Sequence, residues 1–184
     1  VKELGCDFEV VTSVSHDTGS AVAAVPAETE DTIWISSGTW SIIGMNTAAP
    51  VINELSYKHN IANEGGRAKT NRFSKNVMGL WLVQQCRCEW RDEGKDYSYT
   101  ELTDMARLAP HMKTIIDPDY NEFLQMGAMF EKIRRYCQIT GQPVPETDGE
   151  TVRAILQGLA LRYRYVIELL EAISGKQTTA IHIV

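Results

Sequence analysis

Thr32-Ile33-Trp34-Ile35-Ser36-Ser37-Gly38-Thr39-Trp40-Ser41-Ile42-Ile43-Gly44-Met45 is the stretch whose reading decides the fold. Thr32 to Ser37 and Trp40 to Met45 are rich in β-branched and aromatic residues, which predicts two strands. Gly38-Thr39 between them offers the permissive backbone of a tight hairpin or bend, with the polar Thr39 and Ser41 near its tip.

Working outward toward the amino terminus, Phe8 to Ser15 is a further β-rich run. It gives way to the polar turn His16-Asp17-Thr18-Gly19, and Ser20 to Val25 then reads as a short helix that stops at Pro26. On the other side, 50–72 has weak periodicity and is interrupted by Gly65-Gly66. Apolar residues at spacings of three and four, from Val77 through Leu80 and Trp81, predict a helix that runs to about Trp90. Arg91 to Ser98 is a charged connection, Tyr99 to Leu108 a short helix, Ile115-Ile116 a brief extended stretch and Met126 to Ile139 an amphipathic helix. Thr140-Gly141-Gln142-Pro143-Val144-Pro145 stops that helix. Thr147-Asp148-Gly149-Glu150 supplies capping chemistry for the longest helix, whose apolar face carries Ile155, Leu159, Tyr163, Val166, Leu169 and Leu170. Gly175 ends it and Thr179 to Val184 returns as a strand. Strands alternating with helices predict an α/β domain.

The 184 residues suffice for one substantial core without disulfide or metal staples. Hydrophobic residues make up 43% of the chain, charged residues 23%, and no apolar run is long enough to cross a bilayer. The formal net charge of -6 with scattered basic residues leaves no footprint for nucleic-acid binding. Cys6, Cys86, Cys88 and Cys137 form no paired framework, and no secretory leader is evident, so a reducing cytoplasm is the expected compartment. The chain starts at Val1 and ends on the apolar run Ala180-Ile181-His182-Ile183-Val184, which reads as a fragment of a longer polypeptide.

Ser15-His16-Asp17-Thr18 stands where a strand gives way to a helix, a place where α/β sheets assemble ligand sites. Asp17 there can accept the proton of an attacking alcohol in phosphoryl transfer, with His16 and Thr18 orienting hydroxyls; it equally suits an ordinary helix N-cap. Ser36-Ser37-Gly38-Thr39 has the composition of a phosphate-contacting turn, and also of a plain hairpin. Asn63-Glu64-Gly65-Gly66 fits a turn better than a ligand loop. Asn76 and Gln84 are eight apart on the predicted helix, where they share a face that could serve one ligand or simply meet solvent. Cys86 and Cys88 cannot converge on a metal from one helix, and His59, His111 and His182 stand alone, so no metal site is expected.

Taken in order, Ser15-His16-Asp17-Thr18, Ser36-Ser37-Gly38-Thr39-Trp40-Ser41, Asn63-Glu64-Gly65-Gly66, Lys75-Asn76-Val77-Met78-Gly79-Leu80-Trp81-Leu82, the Thr140 to Pro145 stop and Leu159-Ala160-Leu161-Arg162-Tyr163 resemble the FGGY family of sugar kinases. Within it, the resemblance is to the group acting on L-rhamnulose. It implies an actin-like, ribonuclease H-like ATPase domain, with residues 1–184 as part of the carboxy-terminal domain of a two-domain enzyme that binds a sugar, ATP and Mg²⁺. It also implies that Asp17 is the proton acceptor, that His16, Asp17, Thr18 and Asn76 contact substrate, and that Gly38, Thr39 and Gln84 serve the nucleotide. Isolated from the rest of such an enzyme, the fragment is expected to be inactive. The competing readings are a fuculose kinase of the same family and a non-catalytic actin-like binding module; a carboxylate at Asp17 speaks against the module.

Overall fold

The computed structural model describes Gly5, residues 16–25 and residues 31–184. The predicted strand from Phe8 to Ser15 lies outside the described residues, as does Cys6. The central hairpin forms as its composition dictates: β1 (Thr32–Ser37) and β2 (Trp40–Thr47) run antiparallel, with Ile35 opposite Ile43 and Ser37 opposite Ser41. Ahead of them a short helix, α1 (Asp17–Ala23), packs against β1. It begins three residues before the Ser20 start that the sequence suggests, because the polar turn itself winds into the first helical turn.

The weakly periodic region 50–72 is not a loop. It holds α2 (Glu54–Lys58), started by a reciprocal capping box between Asn53 and Ser56, then β3 (Ala62–Gly65) and a single 3-10 turn at Arg67–Lys69. β4 (Asn71–Met78) follows and pairs antiparallel with both β3 and β2. Pattern reading misses β4 because its core face is interrupted by Lys75, while Arg72 is buried and held by Glu64 at 2.8 Å. A helix was expected to begin near Val77. Instead Val77 and Met78 close a strand, Gly79 and Leu80 make a turn, and α3 covers Trp81–Asp92.

α4 (Tyr99–Leu108) has the predicted limits, and Ser98 and Glu101 form its capping box. α5 (Met129–Thr140) starts later than Met126, since Gly127 and Ala128 both take left-handed backbone conformations that no helix continues. α6 (Asp148–Ser174) is capped by Thr147, whose hydroxyl accepts the Glu150 N–H at 3.1 Å. β5 (Ala180–Ile183) then lies parallel to β1, which gives the sheet order β3-β4-β2-β1-β5.

Two cores result. Alternation along the strands puts Ile33, Ile35, Ile43, Met45, Phe73 and Val77 on one sheet face, where Val166, Leu170 and Ile173 of α6 cover them. Full burial of one such side chain contributes about 1.5–3 kcal/mol, more than the ~1 kcal/mol span of strand propensities, so packing on α6 fixes the register. The earlier half of α6 joins α3, α4 and α5 around Leu82, Cys86, Phe123, Ile133 and Ile155. Tyr163 packs against both cores. Among the described residues no helix is long and apolar enough to cross a membrane.

Candidate functional site at the hairpin tip

The tip of the β1–β2 hairpin is tied to the start of α3. Leu80, the N-cap, offers no side-chain acceptor, so the orphan N–H groups at this helix start need other partners. The hairpin supplies them: Thr39 O accepts from Gly79 N–H and Trp81 N–H, each at 3.1 Å, and Gly38 O accepts from Leu80 N–H at 2.9 Å. Such close approach demands glycine at 79. A Cβ there would lie 2.5 Å from Gly38 O and 2.8 Å from both Ser41 N and Ser41 Oγ.

This junction places two of the nucleotide-side candidates in one unit. Thr39 is exposed, and its N–H and hydroxyl have no partner among the described residues. Gln84 sits one helical turn into α3, its N–H bonded to Leu80 O at 2.9 Å and its amide side chain half-buried and unpartnered among the described residues. Gly38 behaves differently from the expectation of an anion-facing N–H, for its N–H donates to Trp40 O at 3.0 Å. Its part is to present a carbonyl to α3.

Asn76 does not share a helix face with Gln84. It stands on β4 opposite Ile42, exposed, on the sheet face away from Val77 and α6. Ser36 of β1 also opposes Ile42, so Ser36, Ile42 and Asn76 form one row across three strands. The Asn63-Glu64 pair is likewise not a ligand loop: Asn63 exchanges two hydrogen bonds with the Val51 backbone and Glu64 holds Arg72.

At α1, the N-cap is His16, which makes no side-chain cap bond, and Asp17 is the first helical residue; the simple N-cap reading of Asp17 therefore fails. Asp17 Oδ1 accepts the Thr18 N–H at 2.7 Å and lies 3.0 Å from His16 Nδ1. Its side chain is 95% exposed, and Oδ2 has no partner among the described residues. The carboxylate is thus oriented through one oxygen and open at the other. Thr18 itself is buried against the fold. α1 packs on β1, and β1 is two strands from Asn76, a span of roughly 10 Å at ordinary strand spacing.

Sequence reasoning missed the residues that brace this end of the sheet. Asp119 accepts the Met78 N–H at 2.8 Å and pairs with Arg162 of α6 at 2.7 Å. It satisfies β4 beyond the point where β3 has ended. Fully buried Ser41 places its Oγ 2.5 Å from Tyr163 Oη. Lys75, on the same face, donates to His59 O at 2.7 Å; burial and then the Arg162 charge hold its ammonium below the ordinary lysine value, against the opposing pull of Asp119. Among the described residues, no three His, Cys, Asp or Glu side chains converge on a common point.

Comparison with known proteins gives this geometry a context. Residues 33–184 match the FGGY family of carbohydrate kinases, C-terminal domain. Over 175 residues the chain is 45% identical to the rhamnulokinase of Bacteroides thetaiotaomicron, covering 95% of this chain and 35% of that protein. It is 39% identical over 184 residues to the rhamnulokinase of Halalkalibacterium halodurans, covering all of this chain and 38% of that protein. The chain therefore spans little more than a third of these relatives. Among solved structures, the xylulose kinase from Rhodospirillum rubrum superposes with a TM-score of 0.62 at 16% identity, over 89% of this chain and 32% of that one. The xylulose kinase from Bifidobacterium adolescentis gives 0.55 at 15%, over 85% and 29%. At such identities the likeness bears on fold alone, and the fold is the α/β, actin-like one.

Proposed function

The chain belongs to the FGGY family of carbohydrate kinases, and we propose on that premise that the protein carrying it transfers the terminal phosphoryl group of ATP to a ketose. The reaction is L-rhamnulose to L-rhamnulose 1-phosphate, and residues 1–184 are part of the carboxy-terminal domain of a two-domain enzyme in the cytoplasm. The reading is supported above all by the oriented, half-free carboxylate of Asp17 in a chain of this family.

Asp17 takes the proton of the sugar's primary hydroxyl as that oxygen bonds to the terminal phosphorus; the bond from phosphorus to the bridging oxygen breaks and ADP leaves. The Thr18 N–H, bonded to Oδ1, and His16 Nδ1, 3.0 Å from the same oxygen, keep Oδ2 turned outward, and Asn76 supplies an amide that can donate to and accept from sugar hydroxyls. Thr39 and Gln84 fit a polyphosphate because each offers a donor that the described residues leave unpartnered. Mg²⁺, when bound with the nucleotide, would supply charge neutralisation on the phosphates.

The test is phosphorylation by the full-length protein of L-rhamnulose, L-fuculose and D-xylulose with Mg-ATP. Preference for L-rhamnulose is the expected result. Preference for L-fuculose would move the protein to another branch of the family, and phosphorylation of no ketose would sink the kinase reading.

A further inference from the structure

The helix α6 reaches the hairpin-tip end of the sheet through consecutive residues. Arg162 grips Asp119, which holds the Met78 N–H, and Tyr163 meets Ser41 at 2.5 Å. Ser41 is fully buried and lies two residues beyond Thr39. The same Ser41 Oγ bounds the space that Gly79 leaves open, and the Gly79 N–H donates to Thr39 O. The Tyr163 hydroxyl is therefore one contact from the backbone junction that ties the Thr39 tip to the start of α3, the helix that carries Gln84. Its ring packs against both cores, so its own place is fixed independently of that bond.

We propose that Tyr163 is a positioning residue for the nucleotide side of the site, acting through Ser41 on the Gly38–Thr39 tip. The proposal rests on the reading of Thr39 and Gln84 as nucleotide contacts. It follows from physical asymmetry: a buried hydroxyl stripped of its partner reorganises its surroundings, whereas removing both partners together leaves an apolar contact that is nearly neutral. Loss of the Tyr163 hydroxyl alone thus loosens the tip; loss of both hydroxyls does not.

The experiment uses the full-length protein with Tyr163→Phe, Ser41→Ala and the double variant. Mg-ATP binding is measured by calorimetry, and KM for ATP and for L-rhamnulose is measured separately. Tyr163→Phe is expected to weaken ATP binding and raise KM for ATP about three- to tenfold, with KM for the ketose unchanged. The double variant is expected to recover most of the loss. Unchanged ATP affinity in Tyr163→Phe overturns the proposal, and so does an equal rise in both KM values or a double variant worse than either single one. Because calorimetry reads nucleotide directly, a wild-type protein that binds ATP yet phosphorylates no ketose would defeat the substrate reading while leaving this test intact. A wild-type protein that binds no ATP would overturn both.

Discussion

A methyl group on residue 79 would stand 2.5 Å from a carbonyl oxygen and 2.8 Å from Ser41 N, distances that backbone atoms do not tolerate. Gly79→Ala should therefore part the hairpin tip from α3. Overpacking of this kind costs about 1–3 kcal/mol, and urea unfolding should show that loss together with weaker ATP binding; a variant as stable as wild type would contradict the described junction. None of this was legible in the sequence, where Met78-Gly79-Leu80-Trp81 reads as a helix start. Asn76 was misplaced for the same reason, since the apolar spacing from Val77 to Trp81 joins the end of a strand to the start of a helix. Asp17, Thr39 and Gln84 were legible as candidates because their chemistry is local, but Tyr163 acts 122 positions away from Ser41 and no local pattern announces it.

Two of the helices with caps written in their own sequence, α4 and α6, were read well, whereas α2 went unread despite its Asn53–Ser56 box because no apolar periodicity accompanies it. α4 and α6 start at caps written in adjacent residues, Ser98 with Glu101 and Thr147 with Glu150. β3 and β4 are set by packing and by the buried Arg72, which reverses the expected polarity of a strand. The α4 cap carries a pH signature. Glu101 accepts from the Ser98 N–H and hydroxyl, and that backbone bond above all holds its carboxyl below the ordinary value of 4.5. A depressed carboxyl contributes stability that is complete above 4.5 and fades as pH falls through the lower folded value. Wild type should thus exceed Glu101→Gln in urea midpoint at neutral pH, with the gap closing in acid; a gap constant with pH would refute the cap's charge. In α6, Gly158 sets helix propensity against packing. Alanine is favoured by about 1 kcal/mol in a helix interior, but a Cβ at 158 would lie 2.2 Å from the Ile116 carbonyl oxygen. The clash should win, and Gly158→Ala should lower the melting temperature; a rise would show that the loop at Ile116 yields.

Across the whole molecule, α6 is the member that makes one domain of two cores. At 27 residues it spans about 40 Å, long enough to cover the sheet with Val166, Leu170 and Ile173 while Ile155 and Leu159 fill the helical core. Its midpoint, Arg162 and Tyr163, touches the end of the sheet at the hairpin tip, through Asp119 and Ser41. The chain spans little more than a third of its curated relatives, and phosphoryl transfer depends on positioning and charge stabilisation from all sides of the substrate. The 184-residue chain alone should accordingly show no turnover of L-rhamnulose with Mg-ATP, and measurable turnover would mean that these residues suffice.

The central assignment is Asp17, oriented through Oδ1 by His16 and Thr18 and open at Oδ2. Its most direct measurement is steady-state phosphorylation of L-rhamnulose by the full-length protein and its Asp17→Asn variant, with Mg-ATP binding measured on both. The account predicts a fall in kcat of about 100- to 10,000-fold with ATP affinity unchanged. Turnover at the wild-type rate in Asp17→Asn would contradict it.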